Sequence, residues 1–188
     1  MPPIPRAYHS LVVHPPDAGL RIVGFFHRIP ALAHTRNRGR GELAHIKRSA
    51  RVPYSPEAMF DLVNDVDSYP QFLPWCRSAA VLEQGDGWRR ARIEMAKGPL
   101  HRSFTTRNEL ERGRRIRVRL EDGPFRKLSG DWHFDPVGDN GCQISLDLEF
   151  EFAGAFLHRA LGPVFNQIAS TLVDSFCRRA REIHGRRR

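Results

Sequence analysis

Cysteine is scarce in this chain: Cys76, Cys142 and Cys177 are the only three, they stand far apart, and they form no CxxC pair. That excludes a disulfide framework and a cysteine-built zinc site, and fits a reducing compartment. Long hydrophobic runs are lacking as well. None approaches the roughly 18 residues that a membrane-spanning helix needs, so a soluble chain is expected. Catalytic signatures are missing in the same way: there is no HExxH, no GxSxG and no Gly-rich phosphate loop. The 9 His are scattered without metal-ligand spacing. No acid, base or nucleophile is nominated, so the expectation is a non-enzyme with no catalytic residue, no metal and no covalent cofactor.

What remains is a chain of 188 residues, 40% hydrophobic and carrying 12 Phe, enough for one domain with a substantial core. Its net charge of +9 resembles a nucleic-acid signature until it is located. Residues 1–43 hold a balance of +4 and residues 155–188 a balance of +5, whereas 17 basic and 17 acidic residues cancel over 44–154. The excess sits in the two ends. Basic appendages are expected, and a basic groove built into the fold is not.

Residues 1–43 carry six prolines and end in the run TRNRGRGE; they read as a disordered Pro/Arg-rich extension or an over-long gene start, with an Arg-rich, acid-poor targeting segment as the alternative. One apolar patch, Leu20 to Phe26, has the makings of an extra strand. From Ala44 periodicity takes over. Ile46, Ala50 and Val52 alternate with Lys47, Ser49 and Arg51, which predicts a half-buried strand. Ser55 then caps a short helix with Pro56 in its first turn and Met59, Leu62, Val63 and Val66 at helical spacing. Asp67 and Ser68 then offer a second cap before a helix of one or two turns, stopped by Pro74. Between Cys76 and Phe152, turn chemistry recurs at Gly85–Gly87, Lys97–Pro99, Glu111–Gly113, Glu121–Pro124 and Gly138–Gly141, with period-two alternation between the turns. Ile144, Leu146, Leu148, Phe150 and Phe152 form one dry face. Asp147, Glu149 and Glu151 lie on the wet face, where a solvated row is expected to pair with Arg115, Arg117 and Arg119. Pro163 to His184 predicts one long helix with Phe165, Ile168, Leu172, Phe176 and Ile183 along its apolar stripe, followed by a basic tail at 185–188.

This order predicts an α+β fold: a curved antiparallel sheet of about seven strands wrapped around a C-terminal helix, with two short helices after the first strand. The space between such a sheet and a single helix is a candidate ligand tunnel.

The runs VPYSPEAMFDLVNDVDSYPQFLPWC (52–76), FTTRNEL (104–110), DGPFRKLSGDWHF (122–134) and LEFEFAG (148–154) resemble the coenzyme Q-binding START-domain family, in the polyketide cyclase/START-like superfamily. The resemblance covers about residues 44–184; bacterial members begin near what is here Leu43. It implies the START-like helix-grip fold and binding of ubiquinone or a similar prenylated lipid, in support of respiratory electron transport. The family's bacterial branch of ribosome-association toxins implies a different role. There the partner is the large ribosomal subunit, subunit joining is blocked, and an antitoxin protein accompanies the toxin.

Candidate tunnel-lining residues are Phe104, Thr106, Asn108, Trp132, Phe134, Leu148, Phe150, Phe165, Ile168 and Leu172, each of which has packing in the core as its ordinary role. Thr106 and Asn108 share the face of Phe104 and Leu110 by strand parity, so they either orient a quinone carbonyl or satisfy each other or a buried water. Phe72 and Trp75, on the proline-stiffened YPQFLPW loop, are candidates for the tunnel mouth and for contact with a membrane surface, against the alternative of packing on the sheet edge. The Arg-rich ends suit RNA or anionic headgroups equally, or are simply solvated. Localisation follows as cytoplasmic, peripheral at the inner membrane.

Overall fold

The computed structural model describes residues 43–98 and 100–185. The expected extension over residues 1–42, its Leu20–Phe26 patch and the last three residues of the basic tail lie outside the described residues. β1 (Ala44–Val52) leads into α1 (Pro56–Asn64) and a 3-10 helix (Val66–Gln71). Then come β2 (Cys76–Gly85), β3 (Trp88–Lys97), β4 (Leu100–Glu111), β5 (Arg115–Asp122), β6 (Phe125–Val137) and β7 (Gly141–Phe152). Two helices close the chain, α2 (Ala155–Ser170) and α3 (Leu172–His184).

The strands form one antiparallel sheet in the order β1-β7-β6-β5-β4-β3-β2. The meander runs from β2 to β7, and β1 closes on β7 in unbroken register from Ala44 opposite Phe150 to Val52 opposite Cys142. Each expected turn falls between two strands. At the β5–β6 turn Gly123 has φ +144°, and a Cβ there would stand 2.6 Å from the Cβ of Phe104, so only glycine lets this turn fold down over β4. α1 begins as the sequence dictates: the Ser55 hydroxyl accepts a hydrogen bond from the amide of Ala58 (3.2 Å). The following turn differs from expectation. Asp67 caps nothing; its carboxylate accepts from the amide of Val81 (3.1 Å), tying the 3-10 helix to β2.

The closing helical segment corrects a further expectation. Helix begins at Ala155, runs through Gly162 and Pro163, and breaks once at Thr171. Leu161, Phe165 and Ile168 are buried at continuous helical spacing across the proline, and that packing outweighs the local preference for a stop. The break has its own cause. The Thr171 hydroxyl donates back to the carbonyls of Gln167 (3.2 Å) and Ile168 (3.0 Å), consuming acceptors that the next turn would need.

The two outer rows of charge also pair differently from expectation. β6 lies between β5 and β7, so the Arg row and the acidic row never meet. Arg115 and Arg117 bind Asp131 of β6, and Arg117 and Arg119 bind Glu109 of β4. On the other side Glu149 takes Lys127 (2.6 Å), Glu151 takes Arg126, and Asp147 takes Lys47 and His45 of β1. Desolvation pushes the Asp147 carboxyl up. Hydrogen bonds from Lys47 and His45, with their charges, outweigh it and hold its pKa below the ordinary carboxylate range.

Candidate functional site

The concave face of the sheet is set by register. One row across it runs Ala79, Ile93, Phe104 and a second runs Val81, Ala91, Thr106, Leu120. A third runs Arg89, Asn108, Val118, Gly130, Leu148, Ile46, and a fourth Leu110, Ile116, Trp132, Leu146, Arg48. α2 and α3 pack on β1 and β7, and α1 packs on β5–β7. The concave side of β2–β5 lies away from most of that packing.

Burial follows the same division. The expected lining residues Trp132, Phe134, Phe150, Phe165 and Ile168 are buried in the core cluster. Phe165 meets Phe125, Phe150 and Phe152 at centroid distances of 4.9, 4.6 and 5.9 Å. Trp132 meets Phe176 at 5.3 Å. These rings fill the space under α2 and α3. Phe104 stacks edge-on against Phe125 (5.7 Å) and is buried with it in the core. Leu148 is buried beside Gly130, where a Cβ would come within 3.1 Å of its Cδ1. Leu172, the first residue of α3, is half-buried.

Half-buried apolar residues on the concave face include Ile93, Val118, Leu120 and Leu110, with Ala79 and Val81 at the β2 edge. Val164 of α2 is half-buried as well. Gln167 lies one turn on along the same helix face, and its side chain accepts a hydrogen bond from Lys97 of β3 (3.2 Å), which ties the end of β3 to α2. Sequence reasoning did not single these residues out; their signal is an apolar side chain on the dry face of a strand, short of full burial.

Two polar residues sit within this oily wall. Thr106 is 2% exposed and Asn108 is 8% exposed. Their shared face matches the parity expectation. Opposite Asn108, Arg89 donates from Nη1 to the carbonyl of Asn64 at the end of α1 (2.9 Å), which ties α1 to β3.

The expected mouth is divided. Trp75 is buried at 7% exposure. Phe72 is half-buried, meets Tyr69 and Phe176 edge-on at 5.9 and 5.3 Å, and lies under the Arg179 guanidinium (5.4 Å). The loop is thus seated against α3. Tyr69 beside it donates its hydroxyl to the Val63 carbonyl (2.6 Å), and burial pushes its pKa upward.

A separate surface cleft of about 620 Å³ opens at the N-terminus of α1 between Glu57, Glu111, His133 and Asp135. Of the expected lining residues only Phe134 borders it. The three thiols are free and buried, and burial raises each to about 11, so they remain protonated and weakly nucleophilic at neutral pH. Among the described residues no cluster of three or more His, Cys, Asp or Glu could hold a metal ion, and no helix is long and apolar enough to cross a membrane.

Comparison with known proteins bears on this geometry. The family model described as polyketide cyclase / dehydrase and lipid transport matches residues 52–177. The ribosome association toxin RatA of Pseudomonas aeruginosa is 50% identical over 141 residues, covering 75% of this chain and 98% of that protein. The coenzyme Q-binding protein COQ10 homolog B, mitochondrial, of Xenopus laevis is 32% identical over 139 residues, covering 71% of this chain and 56% of that protein. The crystal structure of the Zhui aromatase/cyclase from a Streptomyces species superposes with a TM-score of 0.67 at 19% identity, covering 76% of this chain and 97% of that one.

Proposed function

The chain belongs to the polyketide cyclase / dehydrase and lipid transport family, and on that premise we propose that it binds ubiquinone or a similar prenylated lipid without catalysing its conversion. The observation that supports this reading is the half-buried apolar set Ile93, Val118, Leu120 and Val164, which on this reading lines an apolar trough between β2–β5 and α2. A prenyl tail laid along it would gain roughly 0.8 kcal/mol per buried methylene, so affinity needs no strong polar clamp. The coenzyme Q-binding name of one relative supports the choice of guest. The carrier would work from the cytoplasm, exchanging its lipid at the inner membrane surface in support of respiratory electron transport.

A second reading, ribosome association, is favoured by the name of the relative at 50% identity. The surface supports it in one place. Arg92, Arg102 and Arg107 are exposed on β3 and β4, and Arg107 stacks 3.9 Å over the Trp88 ring, an arrangement suited to RNA backbone and bases. The partner would be the large ribosomal subunit, with an antitoxin protein as its natural restraint. The two roles use different faces and do not exclude each other.

Mass spectrometry of an organic extract from freshly purified protein, run beside a ribosome-gradient profile of the same lysate, separates them. A co-purifying prenyl quinone with no ribosomal co-sedimentation supports the carrier alone. An empty extract with salt-sensitive co-migration with the large subunit transfers the function to the second reading.

A further inference from the structure

Three arginines stand side by side on the outer face of the sheet. Arg90 of β3 lies in register with Arg107 of β4, and Arg107 with Arg119 of β5. Neighbouring strands are about 4.8 Å apart, and like charges placed directly opposite one another are destabilising. Carboxylates offset this only in part. Arg90 has Glu121 (2.6 Å), while Glu109 is shared between Arg119 (3.7 Å) and Arg117 (2.8 Å). Arg107, at the centre of the row, has no carboxylate partner among the described residues, and its guanidinium is seated 3.9 Å over the Trp88 ring. That ring lies over Gly85, its partner in register, whose missing Cβ leaves the space the indole fills.

The balanced charge of residues 44–154 conceals this row. The carboxylates that cancel it include Asp147, Glu149 and Glu151 on β7, two strands beyond β5. The surroundings of the row are polar. On the outer face, positions 88–94 of β3, 103–109 of β4 and 115–121 of β5 hold no Leu, Ile, Val or Met, so no aliphatic side chain there would enter an acyl layer.

We propose, resting on the ribosome-association reading above, that this row is a docking strip for an RNA strand, with Arg90, Arg107 and Arg119 holding its phosphates. A guanidinium has five N–H donors, more than one carboxylate takes up, and a line of phosphates supplies the anions that the row lacks.

The test is fluorescence anisotropy of a short fluorescein-labelled single-stranded RNA titrated with the full chain at several KCl concentrations, beside a gradient of purified large ribosomal subunits. Every variant keeps the Arg-rich ends, so differences report the row. Arg107→Gln should raise the dissociation constant about tenfold, the worth of one charge-assisted contact, with the melting temperature equal or higher because a like charge has gone. Arg90→Gln, Arg107→Gln and Arg119→Gln combined should flatten the slope of log K against log salt by about 2, at about 0.7 per phosphate contact on a single strand, and should release large subunits at lower salt. Lys47→Gln, Arg126→Gln and Lys127→Gln combined remove the same charge from β1 and β6, and should change the constant by less than about twofold at physiological salt. Should the row variant fail to fold, Arg107→Gln still decides.

Equal weakening by the two triple variants, or undiminished RNA binding in the row variant, overturns the proposal. Large subunits still retained by that variant would leave the ribosome-association reading standing on another surface. Wild type that binds no RNA, but binds vesicles of phosphatidylcholine and phosphatidylglycerol through the row, also overturns it and assigns the row to lipid headgroups. Wild type that binds neither RNA nor large subunits overturns the ribosome-association reading itself.

Discussion

Arg48 donates from its Nε to the carbonyl of Ser170 (3.2 Å), so a cation on the edge strand closes the C-terminal end of α2 where the chain breaks before α3. Arg48 occupies a concave-face position of β1, in register with Leu146, where an apolar residue would be ordinary. Placed there, the guanidinium meets the negative end of the helix dipole and an otherwise orphaned carbonyl.

Arg48→Met should keep the aliphatic packing and lose the cap. The expected cost is about 1 kcal/mol, a fall in melting temperature of about 2–4 °C for a domain of this size. Faster amide exchange over the last turn of α2 would localise the loss. Unchanged stability and exchange would show that Arg48 is merely solvated.

Val118 and Leu148 lie in one register row, with Gly130 between them, but their surroundings differ. Val118→Trp projects into the trough and should abolish binding of a prenyl quinone while shifting the melting temperature by only a few degrees. Leu148→Trp forces bulk into filled space beside Gly130 and should cost about 1–3 kcal/mol in overpacking. Thermal melts of both variants, paired with lipid titrations, check the contrast. Equal destabilisation by the two would mean that the trough is packed like the rest of the core.

The fold was largely legible because its strands alternate so cleanly. Burial of β7 switches at every residue from Cys142 to Phe152, as its sequence does. The cap at Ser55 and the turn at Gly123 could be read from residue chemistry alone. What failed was non-local. Gly162–Pro163 is a stop signal locally, and only the burial of Leu161 and Phe165 on either side overrides it. The pairing of the Arg row with Asp131 and Glu109 depends on strand order, which no alternation pattern encodes. Which inward residues pack tightly was not legible either. Phe150 and Phe165, among the bulkiest inward residues, are buried in the core, whereas the middling Ile93, Val118 and Leu120 stay half-buried. The pair Thr106 and Asn108 was visible from parity, but that Asn108 Oδ1 lacks a donor among the described residues required the packed structure.

Alkali should weaken the protein through its thiols. Each of Cys76, Cys142 and Cys177 has its folded-state pKa raised by burial from 9.0 to about 11. Between those values the unfolded chain has lost its thiol protons and the folded chain has kept them, so stability falls as pH rises from about 9 to about 11. For Cys142 the charges of Asp135, Cys177 and Glu57 add to burial. Denaturant midpoints across that range should decline in the wild type and decline less steeply in Cys142→Ala. Parallel slopes would assign the alkaline limb to other groups.

Acid should act on Asp147 in the opposite sense. Its folded-state pKa is depressed below the ordinary carboxylate value of 3.8, so its contribution is present above that value and disappears as pH falls through the lower, folded-state one. The pair is partly exposed, 40% at Asp147, which limits the effect to under about 1 kcal/mol. Asp147→Asn should lower stability slightly at pH 7, less so in high salt, and converge on the wild type as the solution is made acid. A difference of equal size at neutral and acid pH would make the loss one of packing.

Calorimetric titration of the full chain with a prenyl quinone at several temperatures tests the central claim most directly. Filling the trough between β2–β5 and α2 predicts one site per chain, a negative heat-capacity change from buried apolar surface, and no heat of binding in Val118→Trp. Absence of binding in the wild type, or undiminished binding in Val118→Trp, would contradict it.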